Sequence, residues 1–76
     1  MPAAVLTPAQ ERVLRAVKSI TPHATLAGLA IGLERPALQV QLSLDALIRR
    51  GFITPVEVYG HRGTAYIATT KGRNRV

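Results

Sequence analysis

The chain has three stretches whose hydrophobic residues recur at about 100° per residue, the period of a helix. The first begins at Thr7, Pro8 and Gln10, where a threonine can cap a helix, a proline fits its first turn and a glutamine completes a capping box. It ends before Thr21 and Pro22, because the residue that precedes a proline avoids the helical conformation. We predict an amphipathic helix with Val13, Leu14, Val17 and Ile20 on its inner face and Arg12, Arg15 and Lys18 on its outer face.

A second, shorter helix is predicted from about Thr25. Gly28 and Gly32 lower its intrinsic helix propensity, so packing against the rest of the protein has to stabilise it. A short turn leads to a third helix, in which Pro36 suits the first turn. The predicted buried stripe of the second helix comprises Leu26, Leu29, Ala30 and Leu33.

The third helix is predicted over 36–50, with Gly51 as its C-cap residue. Arg49 and Arg50 lie in its last turn, where the helix dipole favours cations, and Asp45 lies one turn before Arg49 as a candidate ion-pair partner. The predicted buried face comprises Ala37, Val40, Leu44, Leu47 and Ile48. The opposite face carries Leu38, Leu42, Asp45 and Arg49, with Gln39 and Gln41 on its flanks.

Beyond Gly51 the hydrophobic period changes to two residues, which is typical of strands. Alternating residues on both sides of a tip bounded by Gly60 and Gly63 predict a β-hairpin, which we place at 54–69. Pro55 has no N–H to donate, so its strand lies at a sheet edge or carries a bulge.

Together these elements predict a single α+β domain over residues 1–76, with an ordered core at about 5–70 and a basic C-terminal tail at 71–76 that is expected to fray. A three-helix bundle followed by a C-terminal β-hairpin forms a winged helix-turn-helix. In this architecture the third helix enters the major groove of double-stranded DNA, and the hairpin wing lies on the backbone or in the minor groove. The helix at 36–50 and the wing at 54–69 are therefore the candidate DNA contacts.

The charge of the chain favours a polyanionic partner. Ten Lys and Arg residues against four Asp and Glu residues give a net charge of +6, and eight of the ten are Arg, which suits phosphates and guanine edges. The alternative is that this charge only keeps a small protein soluble. The candidate phosphate contacts are Arg35, Arg49, Arg50, Lys71, Arg73 and the basic face of the first helix. The candidate base contacts are Leu38, Gln39, Gln41, Leu42 and Ser43. Arg62, at the hairpin tip, is the candidate for the minor groove.

Four segments resemble the MarR-type winged-helix transcriptional regulators: LTPAQ at 6–10, TLAGLA at 25–30, LDALIRRGFI at 44–53 and TTKGR at 69–73. The resemblance covers residues 5–73 and implies a winged-helix regulator that binds DNA. The family's wing commonly carries an Asp-Arg-Arg element, which falls here on Gly60, His61 and Arg62, so only its last residue is retained. Family members usually add terminal helices that form a dimer, and a chain of 76 residues is too short to contain them, so its oligomeric state stays open.

Leu38 and Leu42 leave a second function open, because an exposed apolar pair often marks a contact with another chain. Under that alternative the domain is a protein-docking module, for example on polymerase or replication machinery, or it forms a homodimer. Glutamine can also read adenine, and leucine can touch a thymine methyl group. A third alternative is a rotated helix in which both leucines are partly buried.

The composition offers no candidate active site, metal site or cofactor site. The chain has no cysteine, and His23 and His61 lack neighbouring acids that would complete a metal site. The N-terminus lacks the charged leader of a secretory signal, and the hydrophobic residues are too interrupted for a membrane span. We therefore expect a non-enzymatic cytoplasmic protein that is associated with the nucleoid when it is bound to DNA.

Overall fold

The computed structural model describes residues 5–20, 23–58 and 63–76. The elements in chain order are α1 (Pro8–Ser19), β1 (Ala24–Thr25), α2 (Leu26–Leu33), α3 (Ala37–Arg49), β2 (Ile53–Val56), β3 (Ala65–Ala68) and α4 (Thr70–Arg75). The strands form an antiparallel sheet of order β1-β3-β2 that packs against the helices. The predicted α+β winged helix-turn-helix is confirmed, and β1 and α4 are additions to it.

The predicted helix starts at Thr7 and Thr25 are both present. Thr7 Oγ1 accepts the N–H of Gln10 at 3.1 Å and Gln10 Oε1 accepts the N–H of Thr7 at 3.2 Å, which completes the capping box. Thr25 Oγ1 accepts the N–H of Gly28 at 3.1 Å. Ile20 departs from its prediction, because α1 ends at Ser19 and Ile20 is an exposed C-cap residue.

The end of α3 lies one residue earlier than predicted: the helix ends at Arg49, Arg50 is the C-cap residue, and Gly51 follows it. Gly51 has a φ of 81°, in the left-handed region, and its N–H donates to Ile48 O at 3.0 Å. The N–H of Phe52 donates to Leu47 O at 2.9 Å, so the pair forms the hydrogen-bond pattern of a Schellman motif. At the other end Pro36 is the N-cap residue, and Ala37 is exposed in the first turn rather than buried as predicted.

The sheet contains one strand more than the predicted hairpin. β2 pairs with β3 from Ile53 opposite Ala68 to Val56 opposite Ala65, and β2 lies at an edge of the sheet, where the exposed Pro55 is tolerated. β1 pairs with the other side of β3. A strand of two residues is too short to show a hydrophobic period, so the sequence pattern does not predict β1.

The core lies where the three long helices meet the sheet. The largest side chains with almost no exposed surface come from α1, α2, α3 and β2, and no polar or charged side chain is buried among the described residues. The buried cluster comprises Leu6, Val13, Leu14, Val17, Ala24, Leu29, Val40, Leu44, Leu47, Phe52, Ile53, Tyr66 and Ala68.

The expectation of a frayed tail at 71–76 is wrong, because these residues form most of α4. Thr69 caps this helix, and its Oγ1 accepts the N–H of Gly72 at 3.1 Å. Gly72 is buried and packs directly on the backbone of Phe52. Lys18 Nζ donates to Arg73 O at 3.2 Å and to Val76 O at 2.6 Å, so it satisfies carbonyls at the end of α4.

Candidate nucleic-acid interface

The outer face of α3, which we define as Leu38, Leu42, Asp45 and Arg49, lies opposite the buried side of the helix. Leu38 and Leu42 lie one helical turn apart and expose 71% and 61% of their surface. The arrangement in which both leucines are partly buried is therefore not the one observed. This face makes no contribution to the core and is available for a contact outside the domain.

Asp45 orients a neighbouring glutamine on the same helix. Gln41 Nε2 donates to Asp45 Oδ1 at 2.8 Å. The predicted pairing of Asp45 with Arg49 is wrong: over residues 5–20, 23–58 and 63–76 the ion pair present is that of Arg15 with Glu11, at 2.9 Å. A short helical side chain leans toward the N-terminus of its helix, which brings the Asp45 carboxylate toward Gln41.

A groove of about 260 Å³ lies between the N-terminal half of α1 and the first turns of α3. Gln39 and Ser43 line it from α3, Arg35 lines it from the turn before α3, and Arg12 lines it from α1. Gln39 and Ser43 therefore lie on a different flank of α3 from Gln41. The predicted base contacts do not all share one surface.

A second hollow lies where the start of α2 meets α3 and the C-terminal arm of the hairpin. Gln41 is the predicted contact residue at this hollow, and Thr25 and Thr64, which were not predicted as contacts, line it as well. His61 and Arg62, the candidates at the hairpin tip, lie outside the described residues. The lining residues are Thr25, Leu26, Ala27, Gln41, Gly63, Thr64 and Tyr66.

Two of the predicted phosphate contacts also hold the C-terminal end of α3 in place. Arg50 Nη1 donates to Val5 O at 3.2 Å, and Lys71 Nζ donates to Arg50 O at 2.7 Å. The Lys71 ammonium also lies 4.8 Å from the centroid of the Phe52 ring. The backbone carbonyls and the Phe52 ring that these side chains contact carry no net charge, so Arg50 and Lys71 still contribute positive electrostatic potential at this surface.

Cations lie both before and after α3 in the chain. Arg35 is exposed just before the helix begins, and Arg49, Arg50 and Lys71 lie where it ends. Arg73 follows on α4 and is exposed. Positive charge therefore lies both before and after the helix that carries the exposed leucines.

Within the three described segments, no group of three or more His, Cys, Asp or Glu side chains could hold a metal ion. In the same segments, no helix combines the length and the hydropathy needed to cross a membrane.

The helix-turn-helix of α2 and α3, followed by the β2–β3 hairpin, defines a winged-helix domain. Solved structures show the same arrangement. MarR from E. coli, in its reduced form, matches with a TM-score of 0.84 at 26% identity, over 91% of this chain and 51% of that one. FabT from Streptococcus pneumoniae, in complex with DNA, has a TM-score of 0.82 at 22% identity, over 92% and 49%. ZitR from Lactococcus lactis has a TM-score of 0.87 at 20% identity, over 99% and 51%.

The resemblance seen in the sequence is thus confirmed: the domain has the winged-helix fold of the MarR-family transcription regulators. The chain spans about half of the length of the solved structures that it matches. No protein-family model matches the chain, and no curated protein matches it.

Proposed function

We propose that this domain binds double-stranded DNA as a transcription regulator, with α3 in the major groove and the hairpin at 54–69 on the backbone or in the minor groove. The observation that carries the proposal is the outer face of α3, which is exposed on the recognition helix of a winged-helix fold, in a helix with cations just before and just after it. The structure of FabT with DNA, which has the same fold, supports it. In a cell, such a protein is associated with the nucleoid while it is bound.

The roles of the contacts follow from their positions. Phosphate oxygens fix the position of a protein on the duplex, and base edges supply the sequence preference. Leu38, Gln41 and Leu42 are the proposed base contacts on one side of α3, and Gln39 and Ser43 are the proposed base contacts on its other flank. The proposed phosphate contacts are Arg35, Arg49, Arg50, Lys71 and Arg73, and His61 and Arg62 are the proposed wing contacts.

The test is a titration of a fluorescein-labelled duplex with the protein at several NaCl concentrations, in which fluorescence anisotropy measures binding. Phosphate contacts release counterions, so the affinity should fall steeply as NaCl rises, with a log–log slope of about −0.9 for each phosphate contact. Arg35→Gln and Arg49→Gln should each lower the affinity and make that slope shallower by about 1.

Arg75→Gln is the matched control, because it removes the same charge from an exposed arginine at the end of α4 that is not among the proposed contacts. Its slope should stay close to that of the original protein. A slope near zero for the original protein, or equal losses in all three variants, would contradict the proposed function.

A protein-docking module is the second candidate function. Among the described residues, α3 is the helix that carries two large exposed hydrophobic side chains, Leu38 and Leu42. Under this alternative the partner is a protein or a second copy of the chain. The double variant Leu38→Ser, Leu42→Ser would then lose self-association or partner binding in sedimentation velocity while its affinity for DNA stays unchanged.

A further inference from the structure

We infer that the outer face of α3 reads the C5 methyl groups of thymines in T·A base pairs. This inference rests on the proposed function and adds to it the chemical feature of DNA that the recognition helix selects. It assigns Leu38 and Leu42 as specificity-determining residues.

The argument begins with what the two leucines can contact. Their exposed side chains have neither a donor nor an acceptor, so they cannot read the hydrogen-bonding edge of any base. In the major groove the thymine C5 methyl is the apolar group that the four standard bases offer. Covering that methyl removes apolar surface from water on both sides of the contact.

Charge explains why the apolar pair would meet DNA rather than another protein. Arg49 shares the outer face with the leucines, and Arg35 lies just before the helix. A polyanion suits a helix that carries exposed leucines and has arginines near both ends, because phosphates can meet the arginines while the groove floor meets the leucines.

The spacing of the leucines also fits the groove. Residues four apart on a helix are displaced by about 6 Å along its axis. Successive base pairs are displaced by about 3.4 Å. Leu38 and Leu42 can therefore reach methyl groups on neighbouring base pairs or on pairs separated by one other.

Gln41 is the reason to choose thymine over 5-methylcytosine, which carries the same methyl group. One N–H of the Gln41 amide is taken by Asp45, which accepts only, and this fixes the orientation of the amide. The second N–H and Oε1 remain for a base. An amide that offers one donor and one acceptor matches N7 and N6 of adenine, the partner of thymine. Asp45 is a positioning residue in this arrangement.

The experiment begins by selecting the preferred site of the full chain from duplexes with a randomised central segment. Each thymine of the selected site is then replaced, one at a time, by deoxyuridine, which removes the methyl and keeps the base pair. At two positions or more the affinity should fall about three- to five-fold, the effect of one buried methyl group. In Leu38→Ala or Leu42→Ala, the deoxyuridine effect should vanish at one of those positions.

Val5→Ala is the matched control, since Val5 is an apolar residue with 75% exposure that lies outside α3. It should keep the full deoxyuridine effect. Circular dichroism melting shows whether each variant is folded. The deoxyuridine experiment with the original protein changes only the DNA, so the folding of the protein does not affect it.

A further duplex carries 5-methylcytosine·guanine in place of a sensitive T·A pair. If this duplex binds more weakly than the original T·A duplex, the result supports recognition of thymine. If it binds as tightly as the original duplex, the choice of thymine over 5-methylcytosine is overturned. If the protein binds DNA but deoxyuridine has no effect, the inference is overturned and the proposed function stays intact. If Leu38→Ala also loses self-association, the outer face is a contact with another protein chain. Failure to bind any duplex at low salt contradicts the proposed function itself.

Discussion

Gly72 is where a single missing side chain decides how the end of the chain packs. A Cβ at this position would overlap the carbonyl oxygen of Phe52 and lie 3.2 Å from Leu14 Cδ1. The overlapped atom belongs to the backbone and cannot move aside as a flexible side chain would. Only glycine lets α4 come this close to the chain between α3 and β2.

We expect Gly72→Ala to lower the free energy of unfolding by about 1–3 kcal/mol, because the added methyl overpacks a contact with the backbone. Urea unfolding followed by circular dichroism measures the change. Gly32→Ala is the matched control: a Cβ at Gly32 meets nothing within 4 Å, so this variant should gain up to about 1 kcal/mol from helix propensity. Two variants of equal stability would show that the close approach at Gly72 does not matter.

Single residues were predictable from the sequence where the chemistry is local. The capping box at Thr7 and Gln10 and the left-handed Gly51 depend only on neighbours within five positions. The bond of Asp45 to Gln41, rather than to Arg49, required the direction in which a helical side chain leans.

Among the elements, α4 depends on contacts with distant parts of the chain. The carbonyls of three consecutive residues after α3 accept hydrogen bonds from its start: Arg50 O from Lys71 Nζ at 2.7 Å, Gly51 O from Thr69 Oγ1 at 2.6 Å, and Phe52 O from the Thr69 N–H at 3.0 Å. A helix of six residues would not be stable alone in water. These bonds and the contact of Lys18 therefore decide that α4 forms.

Thr69→Val tests this dependence, since valine keeps the shape of threonine and removes its hydroxyl. The hydroxyl donates to Gly51 O and accepts from the Gly72 N–H, so we expect a loss of about 1–2 kcal/mol in the free energy of unfolding. Thr69→Ser keeps the hydroxyl and should lose less than half as much. Equal losses in the two variants would assign the effect to packing of the methyl group.

The sequence predicted α1, α2, α3 and the hairpin because each has its own hydrophobic period or cap. It did not predict β1 and α4, which are too short to show a period and depend on partners far along the chain. The same limit applies to the candidate site. Periodicity placed Leu38 and Leu42 on the outer face, but only the packing of α1 beside α3 showed that Gln39 and Ser43 line a groove.

At the scale of the whole molecule, positive charge has few negative partners. The net charge is +6, no charged side chain is buried in the described segments, and one ion pair is present in them. Repulsion between cations therefore opposes the folded state and is weakened by salt.

We expect the melting temperature of the free protein to rise by about 2–5 °C between about 20 and about 200 mM NaCl, because the added ions screen this repulsion. Differential scanning calorimetry measures it. Arg49→Gln lowers the net charge by one and should reduce the response. The affinity for DNA is expected to fall over the same range of NaCl. A melting temperature that falls with NaCl would show that attraction between charges dominates in the free protein.

The two edges of the sheet bear on how the protein behaves at high concentration. An open edge invites a strand from another molecule, which is a common beginning of fibrils. Here one edge is β1, only two residues long, and the other is β2, where Pro55 leaves a gap in the row of donors. In the described residues both edges of the sheet are short, and Pro55 interrupts one of them, so we expect little pairing of strands between copies of this chain at high concentration.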